Sequence, residues 1–125
     1  MMNSILIVED DPVISELLSW RLKKLGYEVS GTAQSAYEAL RQIEANPPDL
    51  ILIDIMLQGE MDGIDLARQI NIDYSIPFIY VTAYSDNETI SRVIDTEPRG
   101  FLLKPFKDED LKVAIELALK RVRSD

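Results

Sequence analysis

Five short apolar runs, each closed by polar or turn residues, alternate along the chain with longer stretches whose apolar positions recur at helical spacing. This rhythm predicts five strand-helix units, because a buried strand needs only a short apolar run whereas a helix shows a 3.6-residue period. The predicted strands are Ser4 to Val8, Glu28 to Thr32, Leu50 to Ile53, Phe78 to Val81 and Gly100 to Leu103. The first and third are almost wholly apolar, as expected of strands in a parallel sheet covered by helices on both faces. In the first helix, Val13, Ile14, Leu17, Leu18 and Leu22 are the predicted inward stripe, with Asp11 as N-cap, Pro12 at the first helical position and Gly26 as the stop. Trp20 lies off that stripe; of two readings, a partner surface and a partly buried helix residue, the second is favoured. Ser35 and Glu38 form a capping-box pattern before Leu40 and Ile43, and Asn46-Pro47-Pro48 ends the second helix. A third helix is predicted from about Asp62 to Ile72, and a fourth from near Asp86 to a point before Pro98. The last, from about Asp108 to Val122, carries Leu111, Ala114, Ile115, Ala118, Leu119 and Val122 on one stripe.

The fold expected from this order is α/β: a (βα)5 doubly wound five-stranded parallel sheet of flavodoxin-like order 2-1-3-4-5. Right-handed crossovers put helices one and five on one face and two, three and four on the other. In such sheets ligands bind beyond the carboxyl ends of the strands, at the switch point between strands one and three. This explains why the apolar run "ILIV" leads straight into Glu9, Asp10 and Asp11. Glu9 and Asp10 follow strand one, Asp54 strand three, Thr82 strand four and Lys104 strand five, so all five are expected on one rim. Asp11 is better explained as a helix cap.

Three carboxylates a few ångströms apart repel one another unless a cation sits among them, and Mg²⁺, which prefers oxygen ligands, suits such a site. A carboxylate left free can attack phosphorus, with Lys104 neutralising the developing charge and the Thr82 hydroxyl bonding a phosphoryl oxygen. The constellation therefore reads as phosphoryl transfer to Asp54. Taken singly, a strand-end Thr or a surface Lys is unremarkable, and Phe101 is more often core than signalling device. The weight comes from co-location. Asp54 in particular ends a buried run, where an unpaired carboxylate is costly.

Composition narrows the alternatives. At 125 residues the chain is expected to form one domain, residues 1–125. With no His and no Cys, imidazole bases, thiol nucleophiles and zinc-type sites are excluded. A net charge of -9 disfavours direct nucleic-acid binding, since a phosphate backbone demands a basic footprint. No apolar run approaches the roughly 20 residues of a membrane span, and the N-terminus lacks a secretion-signal pattern, so a cytoplasmic location is expected.

The segments "ILIVEDDP", "LILIDIM", "MDGIDLA", "FIYVTAY" and "GFLLKPF", in this order and at these intervals, make the whole chain resemble the receiver (response-regulator) domains of two-component signalling. The resemblance implies that Asp54 is the phosphoacceptor and that Mg²⁺ is held by Asp10 directly, by Glu9 through water, and by Asp54 and the Met56 carbonyl. It further implies that Thr82 is the switch hydroxyl, Lys104 the phosphate-binding lysine and the Lys104-Pro105 bond cis. A sensor histidine kinase or phosphotransfer protein is the implied donor, and an output domain or protein the implied target. A phosphorylation-dependent dimer is left open, as is whether the chain is a stand-alone regulator or part of a longer protein. The chain departs from the common pattern at "IMLQGEMDG", where a Pro is often found, and at Phe101, where Tyr is frequent. The phosphoryl lifetime is left open; the resemblance links it to the side chains at Met56 and Tyr84, both bulky here, which would hinder water attack. A switch is expected rather than an enzyme. The runner-up, an aspartyl-phosphate phosphatase or phosphotransferase, generally needs a substrate cap, and the chain has no insertion long enough to build one.

Overall fold

The computed structural model describes residues 3–83 and 86–123, with side chains described as far as residue 120. The strands are β1 (Ser4–Val8), β2 (Glu28–Ala33), β3 (Leu50–Ile53), β4 (Phe78–Thr82) and β5 (Gly100–Leu103). The helices are α1 (Pro12–Lys24), α2 (Ala36–Ala45), α3 (Gly63–Asp73), α4 (Asn87–Asp95) and α5 (Asp108–Arg123). All strand pairs are parallel and the order is β2-β1-β3-β4-β5, as the alternation predicts. Two boundaries move by one residue: β2 runs on to Ala33 and β4 includes Thr82.

Alternate side chains of the central strands point to opposite faces, which divides the core in two. Leu6, Val8, Ile51, Ile53, Phe78 and Tyr80 pack under α2, α3 and α4, whereas Ile5, Ile7, Leu50, Leu52, Ile79 and Val81 pack under α1 and α5. The predicted division of helices between the faces is therefore observed. In α5, Leu111, Ile115, Ala118 and Leu119 are buried and Ala114 half-buried, whereas the side chain of Val122 lies outside the described residues.

Local chemistry sets the helix ends. Asp11 caps α1 by accepting from the Val13 and Ile14 N–H groups, and Gly26, at φ 95°, takes the left-handed turn that ends it. Ser35 caps α2 by accepting from the Glu38 N–H, but the Glu38 carboxylate returns to the Gln34 N–H at 3.2 Å rather than to that of Ser35. α3 opens with a reciprocal capping box between Asp62 and Asp65.

The predicted inward stripe of α1 is corrected by the structure. Leu18, Leu22 and Ser15 face the sheet, whereas Val13 (73% exposed), Leu17 (56%) and Trp20 (59%) form an outward stripe bordered by Ile14. At about 100° per residue the five apolar residues of the prediction spread over roughly half of the helix circumference, wider than one sheet face can cover. Trp20 is exposed rather than partly buried, with the Lys24 ammonium 4.6 Å from its ring centroid.

Candidate functional site

The rim is built by backbone pairing that continues one residue past the strands. The Glu9 N–H donates to the Ala33 carbonyl at 2.9 Å, and the Asp54 N–H to the Val8 carbonyl at 3.0 Å. Both carboxylates are thereby carried at the carboxyl edge beside the central strand. Glu9 is 4% exposed and Asp54 9%. On the far side, the Lys104 N–H donates to the Thr82 carbonyl at 2.8 Å, which sets the start of the loop following β5. The Lys104-Pro105 bond is cis, as the family pattern implies.

One ammonium joins the two buried acids. Lys104 Nζ donates to Glu9 Oε1 at 2.7 Å and to Asp54 Oδ2 at 3.1 Å. The remaining oxygens are also engaged: Glu9 Oε2 accepts from the Asp11 N–H at 3.1 Å, and Asp54 Oδ1 from the Met56 N–H at 3.0 Å. Burial pushes the Glu9 carboxyl up to about 7; the adjacent Asp54 adds to that push and Lys104 opposes it. Burial also works against the Lys104 ammonium, but the Glu9 and Asp54 carboxylates outweigh it and hold its pKa above the ordinary value.

Glu9, Asp54 and Lys104 thus meet directly. Thr82 is fully buried at the end of β4 and reaches the same rim through its carbonyl bond to Lys104. Asp10 is half-buried beside Glu9, and Met56 presents its backbone to Asp54 with its side chain exposed. Among the described residues no group of three acidic side chains is arranged to hold a metal ion. The Lys104 ammonium, bonded to both Glu9 and Asp54, offsets the repulsion between those two carboxylates. Hard oxygen donors on this rim are the carboxylates of Glu9, Asp10 and Asp54 and the Met56 carbonyl. Tyr84 lies outside the described residues.

Several supporting groups escape the sequence reading. Gly63 lies so close to the site that a Cβ there would meet the Asp54 carbonyl oxygen at 2.2 Å. Arg92 of α4 pairs with Asp62 at 2.9 Å and Asp65 at 3.4 Å, tying α4 to the start of α3. The Tyr80 hydroxyl and Thr96 Oγ1, both buried, are bonded at 2.7 Å below Phe101, whose ring centroid lies 6.3 Å from that of Tyr80. The Asp62-x-x-Asp65 spacing hints at a cap, but nothing in the chain order announces partners 30 residues apart such as Asp62 and Arg92.

Comparison with known proteins agrees with this geometry. Residues 5–116 match the response regulator receiver domain family. Transcriptional regulatory protein PdtaR of Mycobacterium tuberculosis is 37% identical over 95% of this chain and 58% of its own length. DNA-binding response regulator MtrA of Mycolicibacterium smegmatis is 33% identical over 97% of this chain and 52% of its own length. The chain therefore spans about half the length of these relatives. Among solved structures, the signal receiver domain of a modulated diguanylate cyclase from Desulfovibrio desulfuricans superposes with a TM-score of 0.93 at 34% identity, covering 98% of both chains. A CheY-like response regulator receiver domain protein from Methanospirillum hungatei gives 0.88 at 30% identity, again over 98% of both. Proteins of this kind are phosphorylation-activated switches of two-component signalling rather than typical enzymes. With the family pattern spanning nearly its whole length and a sheet that superposes closely on solved receiver domains, the chain belongs to the response regulator receiver domain family.

Proposed function

We propose that the chain works as one receiver domain, residues 1–125, in which Asp54 accepts a phosphoryl group from a histidine kinase or phosphotransfer protein in a Mg²⁺-dependent reaction. One observation carries this reading: a buried Asp54 carboxylate at the switch point of the sheet, with Oδ1 held by the Met56 N–H and Oδ2, among the described residues, by the Lys104 ammonium. When Lys104 swings from Oδ2 toward an arriving phosphoryl oxygen, Oδ2 is free to attack phosphorus. The new P–O bond forms as the P–N bond of the donor phosphohistidine breaks, and the imidazole leaves with the electron pair and takes up a proton. Lys104 neutralises the phosphoryl oxygens, and the Thr82 hydroxyl donates to one of them.

The donor set fits a hard cation. Glu9, Asp10, Asp54 and the Met56 carbonyl offer the oxygen ligands that Mg²⁺ prefers. Burial disfavours the charged form of Glu9 even beside Lys104, and a bound cation would favour its carboxylate. Bound Mg²⁺ would supply the charge that neutralises the incoming phosphoryl oxygens.

The exposed stripe of Val13, Leu17 and Trp20 on α1 supports docking of the donor protein beside the rim, because α1 begins two residues after Asp10. Exposed Ile94, Leu103, Val113 and Leu117 on α4, β5 and α5 support an output surface, or a phosphorylation-dependent dimer, at a second surface. Net charge of -9 favours protein rather than nucleic-acid partners, in a cytoplasmic setting. Among the described residues no helix is long and apolar enough to cross a membrane.

Acetyl phosphate with Mg²⁺ tests the reading without a kinase. A single hydroxylamine-labile phosphoryl group on Asp54 is expected, abolished by chelation and by Asp54→Asn. Stable label on the Asp54→Asn protein would overturn the assignment.

A further inference from the structure

We propose that Arg21, in the last turn of α1, is a positioning residue for Lys104; the inference rests on the reading of Lys104 as the phosphoryl-binding cation. The loop between β5 and α5 has few means of its own to hold a shape. The Lys104 N–H donates to the Thr82 carbonyl, and among the described residues the next bonded backbone N–H of the loop is that of Lys107, which reaches the Asp110 carboxylate at 3.2 Å. Between them Pro105 has no N–H, and both Pro105 and Lys107 are exposed.

The intervening Phe106 is gripped by Arg21 in two ways. Arg21 Nη2 donates to the Phe106 carbonyl at 2.8 Å, and the guanidinium carbon lies 4.5 Å from the centroid of the Phe106 ring. The same guanidinium donates through Nε to Asp108 Oδ1 at 2.7 Å, while Lys24 takes the other oxygen, Oδ2, at 2.8 Å. A planar fork thus spans the loop from Phe106 to the first residue of α5, a geometry that a point charge cannot reproduce. Its bonds are charge-assisted and therefore stronger than the neutral contacts nearby.

The consequence for Lys104 follows from reach. Its ammonium must sit within hydrogen-bond distance of Glu9 and Asp54 at once, and its backbone lies two residues from the atom that Arg21 holds. Misplacement of a reacting group by about 1 Å can cost about a hundredfold in rate. Arg21 therefore carries the register of α1, which begins beside Glu9 and Asp10, over to the lysine that completes the site.

The test is a double-mutant cycle on phosphorylation by acetyl phosphate with Mg²⁺, run well below the melting temperature of each variant. Arg21→Met keeps the alkyl packing on Phe106 and removes the fork. It is expected to slow transfer by roughly three- to tenfold, inside the range that misplacement allows. In a Lys104→Ala background it should slow transfer no further, because the group it positions is gone. An equal loss in both backgrounds, or no loss with Lys104 present, would overturn the inference. If Lys104→Ala alone leaves the rate unchanged, the reading of Lys104 is what fails, and the inference falls with it. In the metal-free protein, Arg21→Met should also shift the Lys104 ε-methylene resonance while leaving that of Lys112 in place; an unmoved Lys104 resonance counts against positioning. Should Arg21→Met not fold, Arg21→Lys carries the same cycle. It keeps charge for Asp108 without the fork, so recovery of the wild-type rate would likewise overturn the inference.

Discussion

Replacing Gly63 by Ala puts the packing behind Asp54 to a quantitative test. A Cβ at this position meets the Asp54 carbonyl oxygen at 2.2 Å, the Ile55 Cα at 2.8 Å and the Asp54 carbonyl carbon at 2.9 Å. All three are backbone atoms, so no side chain can rotate to make room. The shortest contact is about 1.2 Å inside the 3.4 Å at which ordinary contact begins, and the start of α3 must retreat by a comparable distance. Retreat stretches the 2.9 Å bond from the Gly63 N–H to the Ile55 carbonyl, worth about 1 kcal/mol. Overpacking adds about 1–3 kcal/mol, so the expected loss is about 2–4 kcal/mol. Urea unfolding of the metal-free protein reads it as a lower midpoint at unchanged slope. Gly59→Ala is the control: Gly59 has φ 108° but open space around its Cβ, so only backbone strain of about 1–2 kcal/mol applies. In the folded fraction, displacement of the Asp54 to Met56 turn should slow phosphorylation in Gly63→Ala and not in Gly59→Ala. A Gly63→Ala protein within 1 kcal/mol of wild type (roughly the floor set by the lost bond) would refute the reasoning.

Three further outcomes are expected. Tyr80→Phe should lower stability by about 1 kcal/mol in urea unfolding, because Thr96 Oγ1 still donates to the Val93 carbonyl at 2.7 Å; Thr96→Val, which strips the buried Tyr80 hydroxyl of its partner, should cost about 1–3 kcal/mol. Burial pushes the Asp62 carboxyl up, but the Asp65 N–H and Arg92 outweigh it and hold the pKa below the ordinary value. A depressed carboxylate contributes stability above its unfolded pKa and loses it as pH falls through the folded one, so Arg92→Ala should flatten the stability loss seen below about pH 4. Mg²⁺ should raise the melting temperature, and Asp10→Asn should abolish that rise while leaving the metal-free protein at least as stable, which differential scanning calorimetry checks directly.

Much of this molecule is legible in the order of its residues. Runs such as "ILIV" and "LILI" can satisfy their composition only as strands covered on both faces, and chain connectivity with right-handed crossovers then places Glu9, Asp54, Thr82 and Lys104 on one rim. Caps such as Asp11 are local, since side chain and partner lie within one turn, and so they too can be read directly. What escaped was decided by contacts between distant segments. Whether Val13, Leu17 and Trp20 face inward depends on how much of α1 the sheet covers, a property of the assembled layers rather than of helical period. That Lys104 bonds both Glu9 and Asp54 depends on where a flexible four-carbon stem finds opposite charge across 95 and 50 residues of chain. The Arg21 fork on Phe106 and Asp108, the Arg92 bridge to Asp62 and the Tyr80 bond to Thr96 are of the same kind. Charge pairing and shape act through space, and only folding sets which charges and surfaces become neighbours.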